Sequence, residues 1–216
     1  ACEAGKAVYS AAALDMTAAE ATEVKKRVVD SGVAFMVEFP RRLAPATIRL
    51  KELIATQLGP PRLLFCHLRR AFTSPAKCDS NQAMLRELIE MVDWCNYIMG
   101  RPPESVIANG RPSAEQGGYR MLSIDYPGNS QHGSESPLAQ ISCGEYIPDR
   151  WQEALSFRLP TGLQVCCERG VAFIDLPSTL VWFDEAGRHI ESLEYELPIG
   201  EQLFRQFHRA VTSLLR

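Results

Sequence analysis

The sequence lacks most of the features that would assign it a function at once. Its seven cysteines (Cys2, Cys66, Cys78, Cys95, Cys143, Cys166 and Cys167) contain no C-x-x-C pair, and its four histidines (His67, His132, His189 and His208) are scattered, so nothing has the spacing of a zinc site. No G-x-S-x-G elbow is present, which removes the serine-hydrolase reading that His132 and Ser134 in QHGSES would otherwise invite. No apolar run approaches the ~20 residues of a membrane span, and the N-terminus lacks a signal-peptide layout. Net charge is only -3, with no block of Lys or Arg, so neither nucleic acid nor an anionic membrane is an expected partner. Internal repeats and low-complexity segments are absent. The cysteines are odd in number, and Cys66 and Cys95 fall in apolar contexts, which reads as free thiols in a reducing cytoplasm. The opening ACEAGKAVYS has no Met and begins in mid-motif, so a missing upstream piece is expected.

What is present is organised around Asn81 to Gly100, NQAMLRELIEMVDWCNYIMG. Apolar residues at spacings of three and four (Met84, Leu85, Leu88, Met91, Val92, Cys95, Ile98, Met99), widened by Ile89 and Trp94, predict one helix that must pack on something broad. Arg86, Glu90, Asp93 and Tyr97, spaced four, three and four, line up on its remaining face. Before it, Lys6–Ser10 reads as a strand. Thr17 with Glu20 reads as a capping box opening a helix over Ala18–Asp30, and Val33–Phe39 as a second strand, together a βαβ unit with parallel strands. A further helix runs from Ala44 or Pro45 to about Leu58, stopped by Gly59-Pro60-Pro61, and Arg62–Phe72 is a long strand.

After Arg101-Pro102-Pro103 the chain becomes strand after strand. The predicted strands are Ser105–Asn109, Tyr119–Tyr126, Leu138–Glu145, Leu155–Leu159, Leu163–Glu168, Val171–Leu176, Leu180–Asp184 and His189–Glu196. Short connections imply mostly antiparallel neighbours. The tail, Ile199–Arg216, is an amphipathic helix. The expected fold is therefore α/β to α+β. It has a large, mainly antiparallel open sheet with helices on one face, plus an N-terminal βαβ remnant of a Rossmann fold over residues 1–39, with residues 40–216 forming the substrate and oligomerisation domain. At 216 residues, a core burying about 70% of the unfolded surface is within reach.

The order of these elements and several short motifs resemble the Gfo/Idh/MocA family, named for glucose–fructose oxidoreductase and inositol dehydrogenase. The motifs are Gly5-Lys6-Ala7-Val8-Tyr9, Ser31-Gly32-Val33, Phe39 to Pro45, Leu50-Lys51-Glu52-Leu53-Ile54, Leu58-Gly59-Pro60-Pro61, Asp93 to Gly100 with Pro102-Pro103-x-x-Val106, and Cys167-Glu168-Arg169-Gly170. The resemblance covers nearly the whole chain. It implies hydride transfer with NAD or NADP on a sugar or cyclitol-like small molecule, and a dimer made through the open sheet face.

Three departures argue against that chemistry in this chain. No G-x-G-x-x-G joins a strand to a helix, so the phosphate cradle is missing. The family's Glu-Lys-Pro aligns with Ala11-Ala12-Ala13. The family's helical Asp, His and Asp match Arg86, Glu90 and Asp93, of which only the last is kept. Arg86 one turn before Glu90 suits an intrahelical ion pair that keeps the carboxylate ionised; a remodelled substrate contact and a general base are the other readings.

The expectation is a degenerate member, catalytically inactive as this chain and binding no cofactor, or a non-enzymatic binding or scaffolding protein. Its pocket candidates are Arg42, Arg86, Glu90 and Asp93; Arg41 and Arg42 also read as solvated arginines. Vicinal Cys166 and Cys167 face opposite sides of a strand and read as structural thiols. Trp182, in the apolar Val171 to Phe183 region, is the expected interface tryptophan of a homo-oligomer.

Overall fold

A computed structural model of the chain describes residues 1–11, 16–72, 80–111, 118–128, 136–151, 153, 162–194 and 198–214. They form two compact units, Ala1–Leu43 with Tyr195–Arg216, and Ala44–Glu194.

The first unit is the βαβ element with the C-terminal helix. Strand β1 (Val8–Ser10) pairs in parallel with β2 (Phe35–Val37), in the register Val8 to Phe35 and Ser10 to Val37. Between them runs α1 (Ala18–Ser31). Its start follows the sequence: the Glu20 amide donates to the Thr17 hydroxyl at 3.3 Å, and the Thr17 amide donates to the Glu20 carboxylate at 2.7 Å. Gly32, at φ 63°, ends the helix in the left-handed conformation that costs glycine least. In the same unit Phe204 and Phe207 of the C-terminal helix (Ile199–Leu214, here α4) pack on the Tyr9 ring of β1, with ring centres 5.7 and 5.3 Å apart.

The second unit carries an eight-stranded sheet. In chain order its strands are β3 (Pro61–Phe72), β4 (Ser105–Arg111), β5 (Tyr119–Asp125), β6 (Leu138–Pro148), β7 (Leu163–Cys167), β8 (Val171–Asp175), β9 (Thr179–Asp184) and β10 (Gly187–Ser192). In space the order is β10-β9-β8-β7-β3-β6-β5-β4. Only the central pair β3–β6 is parallel, and every other neighbouring pair is antiparallel. The fold is mixed α/β with a large, mostly antiparallel sheet and its helices on one face, as the sequence predicts. The strand expected at Leu155–Leu159 and the loop expected at Gln131–Ser136 fall wholly or almost wholly outside the described residues.

Helices α2 (Pro45–Leu53) and α3 (Ser80–Met99) cover one side of this sheet. The pleat sends alternate residues of each strand inward: Leu64 and Cys66 from β3, Ala139, Ile141 and Cys143 from β6, Leu163 and Val165 from β7, Ala172 and Ile174 from β8. Against them α3 buries Met84, Leu88, Met91, Trp94, Cys95, Ile98 and Met99, each worth about 1.5–3 kcal/mol once removed from water. The Trp94 indole N–H donates to the Thr47 hydroxyl of α2 at 3.0 Å, both groups being fully buried, and so fixes one helix on the other. At the end of α3, Gly100 takes φ 67° and the Lys51 ammonium donates to the Tyr97 carbonyl at 3.1 Å, a cation placed where the helix dipole is negative.

The helix expected to run unbroken to Leu58 changes character. It is α-helical to Leu53 and widens into a π turn over Ile54–Leu58. That turn keeps Leu58 as well as Leu53 buried, which continued α-helical spacing over five residues does not deliver on one stripe.

Candidate functional site

The four pocket candidates divide between the units. Arg42 lies in the first unit, in the 3-10 turn Pro40–Leu43, with its guanidinium 5.3 Å from the centre of the Phe39 ring. Stacking on Phe39 accounts for its position with no ligand. Arg86, Glu90 and Asp93 lie in the second unit on α3, and with Tyr97 they share one side of the helix as the spacing predicts. Arg86 is exposed, and Glu90, Asp93 and Tyr97 are half-buried and each engaged with a partner. The ion pair expected between Arg86 and Glu90 is not among those the described residues form: an exposed arginine keeps its head in water at little cost. Behind the stripe, the fully buried Tyr126 donates its hydroxyl to Asn96 Oδ1 at 2.8 Å, and burial pushes the phenol up so that it stays a donor. The stripe offers two carboxylates and a phenol, and the helix has no histidine. Such a surface accepts hydrogen bonds from hydroxyl groups.

The sheet has a second side that no described element of its unit covers. Across it runs one transverse row in register: Ile107, Ser123, Gln140, Phe65, Gln164, Phe173, Val181, Ile190. None of the eight is charged, and Ile107 and Ile190 are 60% and 59% exposed. Phe183 packs edge-on against Phe173, and Phe65 and Met121 are also exposed. Beside Phe65, His67 Nδ1 lies 2.6 Å from the Ser142 hydroxyl. Burial first, and the Arg69 charge second, lower the His67 pKa below its ordinary value.

Trp182 is not on this face. It is 4% exposed on the helix side, stacked on His189 with ring centres 4.8 Å apart, and Arg49 lies 5.9 Å from its ring centre while gripping Glu191 through two bonds of 2.9 and 3.0 Å. The expected interface tryptophan is thus a core residue, because its strand parity pairs it with Ala172 rather than with Phe173. Cys166 and Cys167 do take opposite sides; both are free, and burial pushes the Cys167 thiol up to about 12. Cys66 and Cys95, missed as a pair by sequence reasoning, bring their sulfurs to 3.5 Å in the core. Cys78 lies outside the described residues. Among the described residues no cluster of three or more His, Cys, Asp or Glu could hold a metal ion, and no helix is long and apolar enough to cross a membrane.

The residues present do not fit a dinucleotide phosphate. Residues 11–17, between β1 and α1, include no glycine, and at the start of α1 the Thr17 amide donates to the Glu20 carboxylate and the Glu20 amide to the Thr17 hydroxyl, which sets a negative charge there that repels a phosphate. Ala12 and Ala13, which align with the Lys and Pro of Glu-Lys-Pro, lie outside the described residues.

Solved structures carry the same architecture. Aldose-aldose oxidoreductase from Caulobacter crescentus, complexed with glycerol, superposes with a TM-score of 0.73 at 15% identity, over 98% of this chain and 64% of that one. UDP-N-acetylglucosamine 3-dehydrogenase from Acidithiobacillus ferrooxidans gives 0.71 at 15% identity, over 98% and 63%. An NAD binding oxidoreductase from Klebsiella pneumoniae gives 0.68 at 14% identity, over 99% and 65%. The chain shares the fold of these oxidoreductases. It spans less than two thirds of the length of each. No protein-family model matches the sequence, and no curated protein matches it.

Proposed function

We propose that this chain is the substrate-binding and assembly part of a Gfo/Idh/MocA-like oxidoreductase and does not itself transfer hydride. Residues 1–39 are the remnant of a dinucleotide-binding domain and residues 40–216 the C-terminal domain. The observation that carries the reading is that a fold common to sugar and sugar-nucleotide oxidoreductases extends over 98% of the chain, while its βαβ unit has no glycine between β1 and α1 and closes the start of α1 with a Thr17–Glu20 capping box. The α3 stripe of Glu90, Asp93 and Tyr97, with Arg86 at its end, presents carboxylates and a phenol to a neutral polyol, the chemistry of a sugar or cyclitol. Arg42 is the remaining pocket candidate. Free thiols at all six described cysteines suit a reducing cytoplasm.

The open face favours assembly, and a second reading as a scaffolding protein draws on the same feature. Eight strands at about 4.8 Å spacing and five or six residues at about 3.3 Å give a face of roughly 630–760 Å2. This approaches the ~800 Å2 that each partner buries in a standard interface. The middle row is uncharged, and the same side carries Arg69 and Arg188 as well as Asp125 and Asp175, so opposite charges can meet across a two-fold axis and the occupant is a second copy of this chain.

Titration with NADH and NADPH, followed by fluorescence or calorimetry, tests the catalytic half of the reading. No saturable binding is the expected result, and a micromolar dissociation constant overturns it. Light scattering tests the other half: a dimer at tens of micromolar is expected, and a monomer refutes the assembly role.

A further inference from the structure

The open face carries few charges, and the strand register fixes where they stand. One transverse row joins Asp125 on β5 to Arg188 on β10 by way of Cys166 on β7. Its two ends have opposite signs, and β7 stands three strands from each. Arg188 is exposed; Asp125 is half-buried and accepts from the Ser105 hydroxyl at 2.5 Å. In the next row Phe65 on β3 and Phe173 on β8 lie on either side of Gln164 on β7. One row further, exposed Asp175 on β8 is level with His67 on β3, and Arg69 follows two residues beyond. About a line along β7, then, the face is symmetric in its aromatic rings and antisymmetric in its charges.

We propose that a second copy docks on the open face about a two-fold axis running along β7, pairing Arg188 with the partner's Asp125 and Asp175 with the partner's Arg69. The inference rests on the reading that this face pairs with a second copy. Such an axis lays β10 over the partner strand β5, β9 over β6, β8 over β3, and β7 over itself. Phe65 then meets the partner's Phe173, while Cys166 and Gln164 meet their own counterparts on the axis. Each contact off the axis is made twice. Stacked sheets keep their strands aligned to within ~30°, and arginine side chains are long enough to take up that offset. Arg69 is already engaged within its own copy, and a guanidinium has donors for both partners.

Other axes lose these pairs. An axis across the strands lays each strand on its own copy, and among the described residues no strand brings charges of both signs to this face. An axis between β7 and β3, the geometric middle of the eight strands, sets Asp125 against the partner's Phe183 and Arg188 against the partner's Ser105. That arrangement takes a carboxylate out of water without giving it a cation, which costs stability. Charge therefore places the axis on β7, one half-strand from the middle of the sheet.

Charge reversal read by sedimentation equilibrium tests the inference. Arg188→Asp and Asp125→Arg each set like charges together twice, and each is expected to dimerise about tenfold more weakly than the native chain, or worse. An equimolar mixture of the two variants restores both pairs in the mixed dimer and is expected to associate about as tightly as the native chain. A second measurement uses the native chain and does not depend on either variant folding. The reagent 1,1-methanediyl bis-methanethiosulfonate joins two thiols through a single carbon, each thiolate displacing a methanesulfinate. It is expected to link Cys166 to the partner's Cys166, as read by peptide mass spectrometry, and to give no linked dimer with Cys166→Ser. Variants that dimerise like the native chain, a mixture as weak as its components, or a native dimer that is not linked at Cys166 overturns the inference and leaves the dimer standing. A native chain that is monomeric at tens of micromolar refutes the dimer and the inference with it.

Discussion

The bond between Trp94 and Thr47 should be a measurable part of what holds α3 in place, and with it the stripe that presents Glu90 and Asp93. Both residues are fully buried, and the indole N–H donates to the hydroxyl at 3.0 Å. Thr47→Val removes the hydroxyl at nearly constant volume and leaves a buried N–H without a partner, a cost of about 1–3 kcal/mol. Trp94→Phe strands the Thr47 hydroxyl instead and also opens a void, so its cost should be larger, about 2–4 kcal/mol. The double variant strands neither group. It should therefore be more stable than the sum of the two losses predicts, by about 0.5–2 kcal/mol. Urea unfolding followed by circular dichroism and tryptophan fluorescence is the assay. All three tryptophans fall within Ala44–Glu194, so the fluorescence reports on that unit alone. Losses that add to within about 0.3 kcal/mol would mean that the hydrogen bond contributes nothing beyond packing, and the account of how α3 is seated would fail.

Other expectations are simpler. Thr17→Ala removes the acceptor of the capping box and should cost the first unit about 1 kcal/mol, read as lost helicity and faster amide exchange in α1; unchanged exchange would show that the cap is idle. A Cβ at Gly170 would meet the Phe183 carbonyl and, at 2.6 Å, Leu58 Cδ2, so Gly170→Ala should destabilise the second unit by about 1–3 kcal/mol in urea, while Gly200→Ala, which meets nothing within 4 Å, should be near neutral. A maleimide at about pH 8 should label the half-exposed Cys2 ahead of Cys66, Cys95 and Cys143, which are buried, and of Cys167, whose thiolate is disfavoured; peptide mass spectrometry reads the order, and early labelling of Cys95 would contradict the packing of α3.

How much of this was legible in the sequence depends on how far apart the interacting residues lie. The start of α1 was readable to the residue because a capping box is decided within four positions. Helix α3 was equally clear, its apolar period running through five turns. The π turn at Ile54–Leu58 was not, since nothing local distinguishes it from continued helix; only the sheet beneath requires Leu58 to reach inward. Strand existence was visible from alternation, but strand order was not. The placement of β3 between β7 and β6 joins residues about 75 to 100 positions apart, and loop-closure entropy leaves no local trace of which pairing wins.

The same logic explains the misplaced tryptophan and the missed histidine. In TLVWFD the residues alternate sides, so a one-residue change of parity decides whether Trp182 or Phe183 meets solvent, and the sequence has apolar residues at both. Core packing settles it, because Trp182 closes on His189 and Arg49 whereas Phe183 is left against Phe173. His67 reads as one scattered histidine until the register of β3 with β6 puts Ser142 beside it. The polar centre of the open face is therefore a property of the pairing and not of any segment.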